Sequence, residues 1–295
     1  MSEQIYQIYD RIFKRIFSLS SLAIINLING LFGTNHPLDS SVGYPSHEFI
    51  SSHLDKRFAD VLLTIQGIPY HLEAQMTKDG AIVVRAFEYE FLYAMHNRDG
   101  DTVLHFPEPI IIYLDSETKI PETSTLNLDF GSQGTFTYTV KNFVYQDYEM
   151  RELNQRKLIV LIPFQLLKLK RIIEKAPSET HFLQLKNLIQ NDILNSIRAN
   201  LQVGNITLDD ANQLRELTLQ LYDHIYQHYD ELGGRNDMKP LLEGAIELPL
   251  DKYRIRIDEL EQKTSALEQE KSSLEQEKSS LEQEILHLKA LLNEK

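Results

Sequence analysis

The chain has 295 residues, 42% of them hydrophobic, and its 30 basic and 43 acidic residues give a formal charge of −13. That length exceeds the usual single domain and predicts one sizeable globular unit with something appended. The acidic balance argues against a broad electrostatic grip on nucleic acid, and the lack of cysteine excludes disulfides, thiolate metal sites and thiol redox chemistry.

Helical and strand-like periods both occur, which predicts a mixed α/β or α+β class. From Gln4 to Phe32 the apolar residues Ile5, Ile8, Ile12, Phe13, Ile16 and Phe17 recur at helical spacing, and "NGLFGTNHP" ends the pattern. Glu3, Asp10, Lys14 and Arg15 interrupt this stretch, whose apolar runs are too short to span a bilayer. The expectation is a core helix or two in a cytoplasmic protein with no membrane partner. Ser51 to Met76 reads as paired strands, and "GAIVVRAFEYEFLYAMHNRDG" as a helix between glycines. The short apolar run "EPIIIYLD" is typical of an interior strand. "GTFTYTVKNFVYQDY" alternates like a further strand or two outside the main sheet.

Met150 to Leu232 is mainly helical in pattern, with Thr207 as an N-cap and Asp210 three residues on. Within it "LLKLKRIIEK" carries Lys168, Lys170, Arg171 and Lys175, either a stripe touching a DNA backbone or a solvated helix face. The tyrosines and histidines of "LYDHIYQHYDE" read as packing and surface, not as a metal site. After Pro249 there is no further proline or glycine, and Leu260, Leu267, Leu274, Leu281 and Leu288 recur every seven residues. This is a d-position ladder. The matching a positions are Ile257, Thr264, Lys271, Lys278, Ile285 and Leu292; their polar middle favours a two-stranded coiled coil, hence a homodimer, with a solvated single helix as the alternative. The expected divisions are a core over 1–149, a helical subdomain over 150–250 and the coiled coil over 251–295. Eight basic and eleven acidic residues fall from Asp251 onward, leaving 22 against 32, so the body is acidic by itself.

The chemistry-bearing stretch is "RFADVLLTIQGIPYHLEAQ", Arg57 to Gln75. A two-residue turn at Gln66 and Gly67 would set Ile65 opposite Ile68 and Asp60 opposite Glu73, with His71, Glu73 and Gln75 sharing one face. Opposed like charges destabilise a strand pair, and a buried unpaired carboxylate costs more, so the arrangement calls for a cation. Mg²⁺ meets that need with one or two carboxylates, waters and phosphate oxygens. The competing reading puts both acids on a solvated face beside Lys56, Arg57 or Lys78. Gln-Gly is a weaker turn signal than Asn-Gly, and Pro69 removes one ladder donor. His71 on this face would favour a softer ion than Mg²⁺ if it were a ligand, and otherwise reads as an outer-shell or exposed histidine.

An acid on one strand, a turn, then Glu-x-Gln on the next resembles the PD-(D/E)XK nuclease superfamily. The surroundings look like its recombination-promoting nuclease and putative transposase branch: "YDRIFKRIFSLSSLAIINLINGLFG", then "KRFADV", "HLEAQ" and "VVRAFEYEFLYA". The resemblance covers about the first half of the chain. It implies a restriction-endonuclease-like mixed central sheet flanked by helices, and a metal-dependent DNA endonuclease active in recombination or mobile-element biology. It makes Asp60 and Glu73 the ligands of Mg²⁺, with Mn²⁺ as a substitute, and puts Gln75 where a lysine is usual. An amide hydrogen-bonds but carries no charge, which leaves more of the work to the metal and makes Glu73, or its metal-bound water, the candidate proton relay.

The resemblance also implies a third acid from the first helix, with Asp10 as first candidate and Glu48 as second. Asp10 reads equally as a partner of Lys14. Arg85 and Tyr89, four residues apart on one helical face, are candidate DNA contacts together with Lys56. Packing for Tyr89, and an ion pair with Glu88 or Glu90 for Arg85, are the structural alternatives. The attacking group, water or a DNA 3′ hydroxyl, stays open. The alternative function is a catalytically decayed nuclease fold that self-associates and recruits a partner through its coiled coil.

Overall fold

The short polar side chains of "SLSSL" break the first apolar pattern in two. Residues 11–16 are helical and the chain turns over 17–19. The Ser18 hydroxyl donates to the Arg15 carbonyl, local competition that ends a helix. Helix α1 then runs Ser21–Phe32, capped by Ser20, whose side chain accepts from the Ala23 amide; it closes on Gly33 at φ 74°. In this computed structural model the described residues are 9, 11–45, 59–98, 100, 102–116, 118–176, 178–233, 263, 264 and 271, with Ala59, Asp60 and residues 227–233 described by their backbone alone.

The chain divides into two compact units, residues 1–246 and 247–295. In the first, six strands form one mixed sheet: β1 (Val42–Gly43), β2 (Ala59–Ile65), β3 (Ile68–Gln75), β4 (Glu108–Tyr113), β5 (Thr123–Asp129) and β6 (Thr135–Val144). Their spatial order is β1-β2-β3-β4-β6-β5. β3, β4 and β6 are parallel neighbours, and the remaining pairs are antiparallel. Helix α2 (Ile82–His96) makes the β3-to-β4 crossover, as a parallel pair requires. β4 lies between β3 and β6, and Ile110, Ile111, Ile112 and Tyr113 are all buried, the expected reading of an apolar run covered on both faces.

One expectation is corrected here. The alternating segment placed outside the main sheet is β6, and its second half pairs in parallel with β4 from Ile110↔Lys141 to Tyr113↔Val144. Its first half pairs only with β5 and is largely exposed, while Tyr138, Val140 and Phe143 are buried. A strand that is half arm and half interior shows the same alternation in both halves, so its period did not reveal its place. β5, with no residue fully buried, lacks the apolar run that marks a strand.

Helix α2 covers one face of the sheet. Ile82 and Val83 from the helix meet Ile111, Tyr113, Tyr138 and Val140 from the strands, with Phe87 packed alongside. Helix α1 lies toward the other face, where the Phe32 ring meets Tyr70 at 4.8 Å. The remaining helices are α3 (Met150–Gln155), a 3₁₀ segment Ile159–Gln165, α4 (Leu166–Lys175), α5 (Glu179–Asn187), a π-helical stretch Leu188–Ile193, α6 (Leu194–Gln202) and α7 (Leu208–Gly233). They join the N-terminal helices directly across residue 150. Asp210 accepts from both the amide and the hydroxyl of Ser20, Asn26 donates to the Asn205 carbonyl, and Arg15 lies 3.3 Å from Glu216.

The expected capping box is present, the Thr207 amide donating to Asp210 and the Asp210 amide to the Thr207 hydroxyl. The basic stripe of α4 meets the chain's own acceptors. Lys168 reaches the Tyr148 carbonyl and Glu149, Lys170 is 3.9 Å from Glu174, and Arg171 is 2.6 Å from Asp115. Among the described residues no helix is long and apolar enough to cross a membrane. The coiled-coil expectation lies outside the described residues except for Lys263, Thr264 and Lys271, which are helical and exposed.

Asp210 is fully buried and serves two helix starts at once. Asp210→Ala strands several donors and is expected to cost about 3 kcal/mol in urea unfolding. A loss below about 0.5 kcal/mol would show that these bonds do not tie the helices together.

Candidate functional site

Both residues of the tight turn lie in the left-handed region, Gln66 at φ 52° and Gly67 at φ 79°. A turn with both central residues there matches the natural twist of two strands and fixes their register. That register pairs Ile65 with Ile68 and Asp60 with Glu73, as the sequence suggested. Positions paired in an antiparallel ladder share a face.

Alternation then sorts β3. Tyr70, Leu72 and Ala74 take the α1 side, where His36 Nε2 meets the Tyr70 hydroxyl at 2.6 Å. His71, Glu73 and Gln75 take the α2 side. All six are buried, and Glu73 and Gln75 are each 1% exposed. This overturns the solvated-face reading for Glu73. From β4, Ile111 is the register partner of Glu73 and Tyr113 that of Gln75, so one flank of the polar pair is apolar.

Gln75 Nε2 donates to Glu73 Oε1 at 3.0 Å. The Arg85 guanidinium reaches the same oxygen at 3.9 Å. On the other side of Glu73, His71 Nε2 stands 3.9 Å from Oε2. Neither Glu73 Oε2 nor Gln75 Oε1 has a hydrogen-bond partner among the described residues. Two buried acceptors on adjacent positions of one face are costly without a donor or a cation.

Arg85 comes from the first turn of α2. Among the described residues it pairs with neither Glu88 nor Glu90 but with Asp79, at 2.8 Å. Asp79 also accepts from the Ala81 amide at 2.9 Å, opening the helix in place of an N-cap side chain. Burial pushes the Asp79 carboxyl up, but the Ala81 amide and Arg85 together outweigh it and hold the group below its ordinary value.

Deeper in the layer, Glu90 Oε1 meets His71 Nδ1 at 2.9 Å and Glu90 Oε2 accepts from the Tyr138 hydroxyl at 2.7 Å. Burial, and then the adjacent Glu90, push the Tyr138 hydroxyl far above its ordinary value, and it meets Glu90 as a donor. The Tyr89 ring stands edge-on to His71 at 5.9 Å.

Sequence reasoning passed over Glu90, Tyr138 and Asp79, and left His71 aside. A signal was present for Glu90. Val83, Ala86 and Ala94 form a buried stripe on α2, and an acid on that stripe needs a partner inside. Of the other expected site residues, Asp60 is set by its backbone opposite Glu73, whereas Asp10, Glu48 and Lys56 lie outside the described residues.

The residues present suit a divalent cation. Glu73 Oε2 and Gln75 Oε1 are oxygen donors of the kind Mg²⁺ accepts, beside the position of a second carboxylate, Asp60. Among the described residues no group of three or more His, Asp or Glu is arranged to hold a metal ion, and the Asp60 side chain lies outside that description. Comparison with protein-family models, with curated proteins and with solved structures gives no match in any of the three.

A carboxylate with a lowered folded-state pKa contributes stability that is complete above its unfolded value, 3.8 for Asp79, and is lost as pH falls through the folded value. Asp79→Asn is therefore expected to lower the urea midpoint at pH 7, with the gap from wild type closing as pH drops below about 4. A gap of equal size at pH 7 and pH 3 would rule out the Asp79–Arg85 pair as its source.

Proposed function

We propose that the chain is a DNA endonuclease of the PD-(D/E)XK type that depends on a divalent ion, Mg²⁺ or Mn²⁺, with a restriction-endonuclease-like sheet. One observation carries the reading. The register pairs the backbone of Asp60 with that of Glu73, and Glu73 Oε2 and Gln75 Oε1 are buried without a hydrogen-bond partner among the described residues. The mixed sheet with helices toward both faces supports the fold, and the order of the "KRFADV", "HLEAQ" and "VVRAFEYEFLYA" segments supports the family.

In this reading Asp60 and Glu73 hold the ion and Gln75 braces Glu73, fixing Oε1 so that Oε2 turns to the site. The ion, when bound, draws charge from the scissile phosphate and makes water more acidic. Glu73 is the nearest group to take the proton as water attacks phosphorus and the P–O bond to the leaving strand breaks.

Arg85 supplies what Gln75 lacks. Its guanidinium sits beside Glu73, and its fork of donors suits a phosphate. With a net negative body, the grip on DNA is local, from Arg85, Tyr89 and Lys56, and indifferent to sequence. The heptads from Asp251 onward would pair two copies so that two sites act on two strands.

Cleavage of supercoiled and linear plasmid with Mg²⁺ or Mn²⁺ tests the reading. Asp60→Ala and Glu73→Ala are each expected to lower the rate by about a hundredfold or more while circular dichroism stays that of wild type. Either variant cutting as fast as wild type would remove its residue from the site.

A further inference from the structure

The polar layer under α2 extends beyond Glu73 and Gln75. His71, 3% exposed, and Glu90, 1% exposed, form a buried pair on the side of Glu73 away from Gln75. Burial of an imidazole and two carboxylates together is expensive unless each has a fixed role.

The roles follow from the hydrogen bonds. Tyr138, held in its protonated form, donates to Glu90 Oε2. The other Glu90 oxygen lies 2.9 Å from His71 Nδ1, and in the tautomer that carries the ring proton on Nδ1 this nitrogen donates to it. The nitrogen on the opposite edge of the ring, Nε2, then presents a lone pair on the side of Glu73 Oε2, 3.9 Å away. That separation is too long for a hydrogen bond. It is short enough for one ion to touch both atoms, since ligands at about 2.1 Å from a metal stand up to about 4.2 Å apart. A carboxylate that fixes one ring nitrogen so that the other is aimed is the usual support of a metal-bound histidine.

We infer that His71 Nε2 is a ligand of the same ion as Glu73, with Glu90 and Tyr138 as positioning residues, and that the site prefers a first-row transition dication to Mg²⁺. The inference rests on the proposed reading that Glu73 holds a divalent ion. Mg²⁺ favours an all-oxygen shell and gives up water reluctantly, whereas imidazole nitrogen suits transition ions. The competing arrangement is an imidazolium lodged between Glu73 and Glu90, which would put no nitrogen on a metal.

Mn²⁺ is the probe, used on the full-length, metal-stripped protein. Electron-spin-echo modulation of bound Mn²⁺ is expected to show ¹⁴N coupling from a coordinated imidazole. Competition is expected to give Mn²⁺ at least about tenfold tighter binding than Mg²⁺. Glu90→Gln, which keeps the size of the side chain, is expected to weaken Mn²⁺ about 10- to 100-fold and Mg²⁺ less. In His71→Ala the ¹⁴N signal should vanish and the two affinities converge. Bound Mn²⁺ in wild type without ¹⁴N coupling overturns the assignment of His71, and this needs no variant to fold. If Glu73→Ala in that case loses Mn²⁺ binding, the nuclease reading stands and only His71 is reassigned. If Glu73→Ala binds Mn²⁺ like wild type, or wild type binds none, both readings fail.

Discussion

The β2–β3 register is the constraint from which the rest follows. Two left-handed residues at Gln66 and Gly67 admit one pairing, and in that pairing Asp60 stands opposite Glu73. A slip of one residue would turn His71, Glu73 and Gln75 toward α1 and send Tyr70, Leu72 and Ala74 under α2. Each set would then meet the wrong partner. Tyr70 would lose Phe32 and His36, and His71 would lose Glu90. The apolar side of β3 thus secures the register, and the polar side uses it.

The polar side is a buried network with two ends. Near Arg85, Glu73 is braced by Gln75 and approached by a guanidinium that Asp79 holds. Near Tyr138, Glu90 is held by a hydroxyl that stays protonated and in turn holds His71. Both ends fix side chains by hydrogen bonds from rigid elements, a strand and a helix. Such preorganisation suits charge handling. Glu73 Oε2 lies between the ends with no hydrogen-bond partner among the described residues. A divalent ion would relieve that cost, and the same ion would give an acidic protein a local hold on a polyanion.

Local signals made much of this legible in the sequence. The hairpin, its register, the interior strand β4 and the helix between glycines could each be read from periodicity and turn chemistry, and so could the Thr207 capping box. What was not legible depends on long-range placement. The alternation of β6 is equally that of an arm and of an interior strand, so its parallel pairing with β4 became visible only in three dimensions. Glu90 and Tyr138 are 48 residues apart, and neither sits in a motif. Arg85 reads locally as a partner of Glu88 or Glu90, yet the turn after β3 brings Asp79 to it first. Asp210 and Asn205 likewise accept hydrogen bonds from the cap of α1 and from α1 itself, contacts that no local pattern announces.

The central claim is that the carboxylates of Asp60 and Glu73 share one divalent ion. A crystal of the full chain grown with Mn²⁺, measured at the manganese absorption edge, tests it most directly. The account predicts an anomalous peak about 2.2 Å from an oxygen of each carboxylate. An Asp60 side chain paired with a lysine or arginine, with no peak beside Glu73, would contradict it.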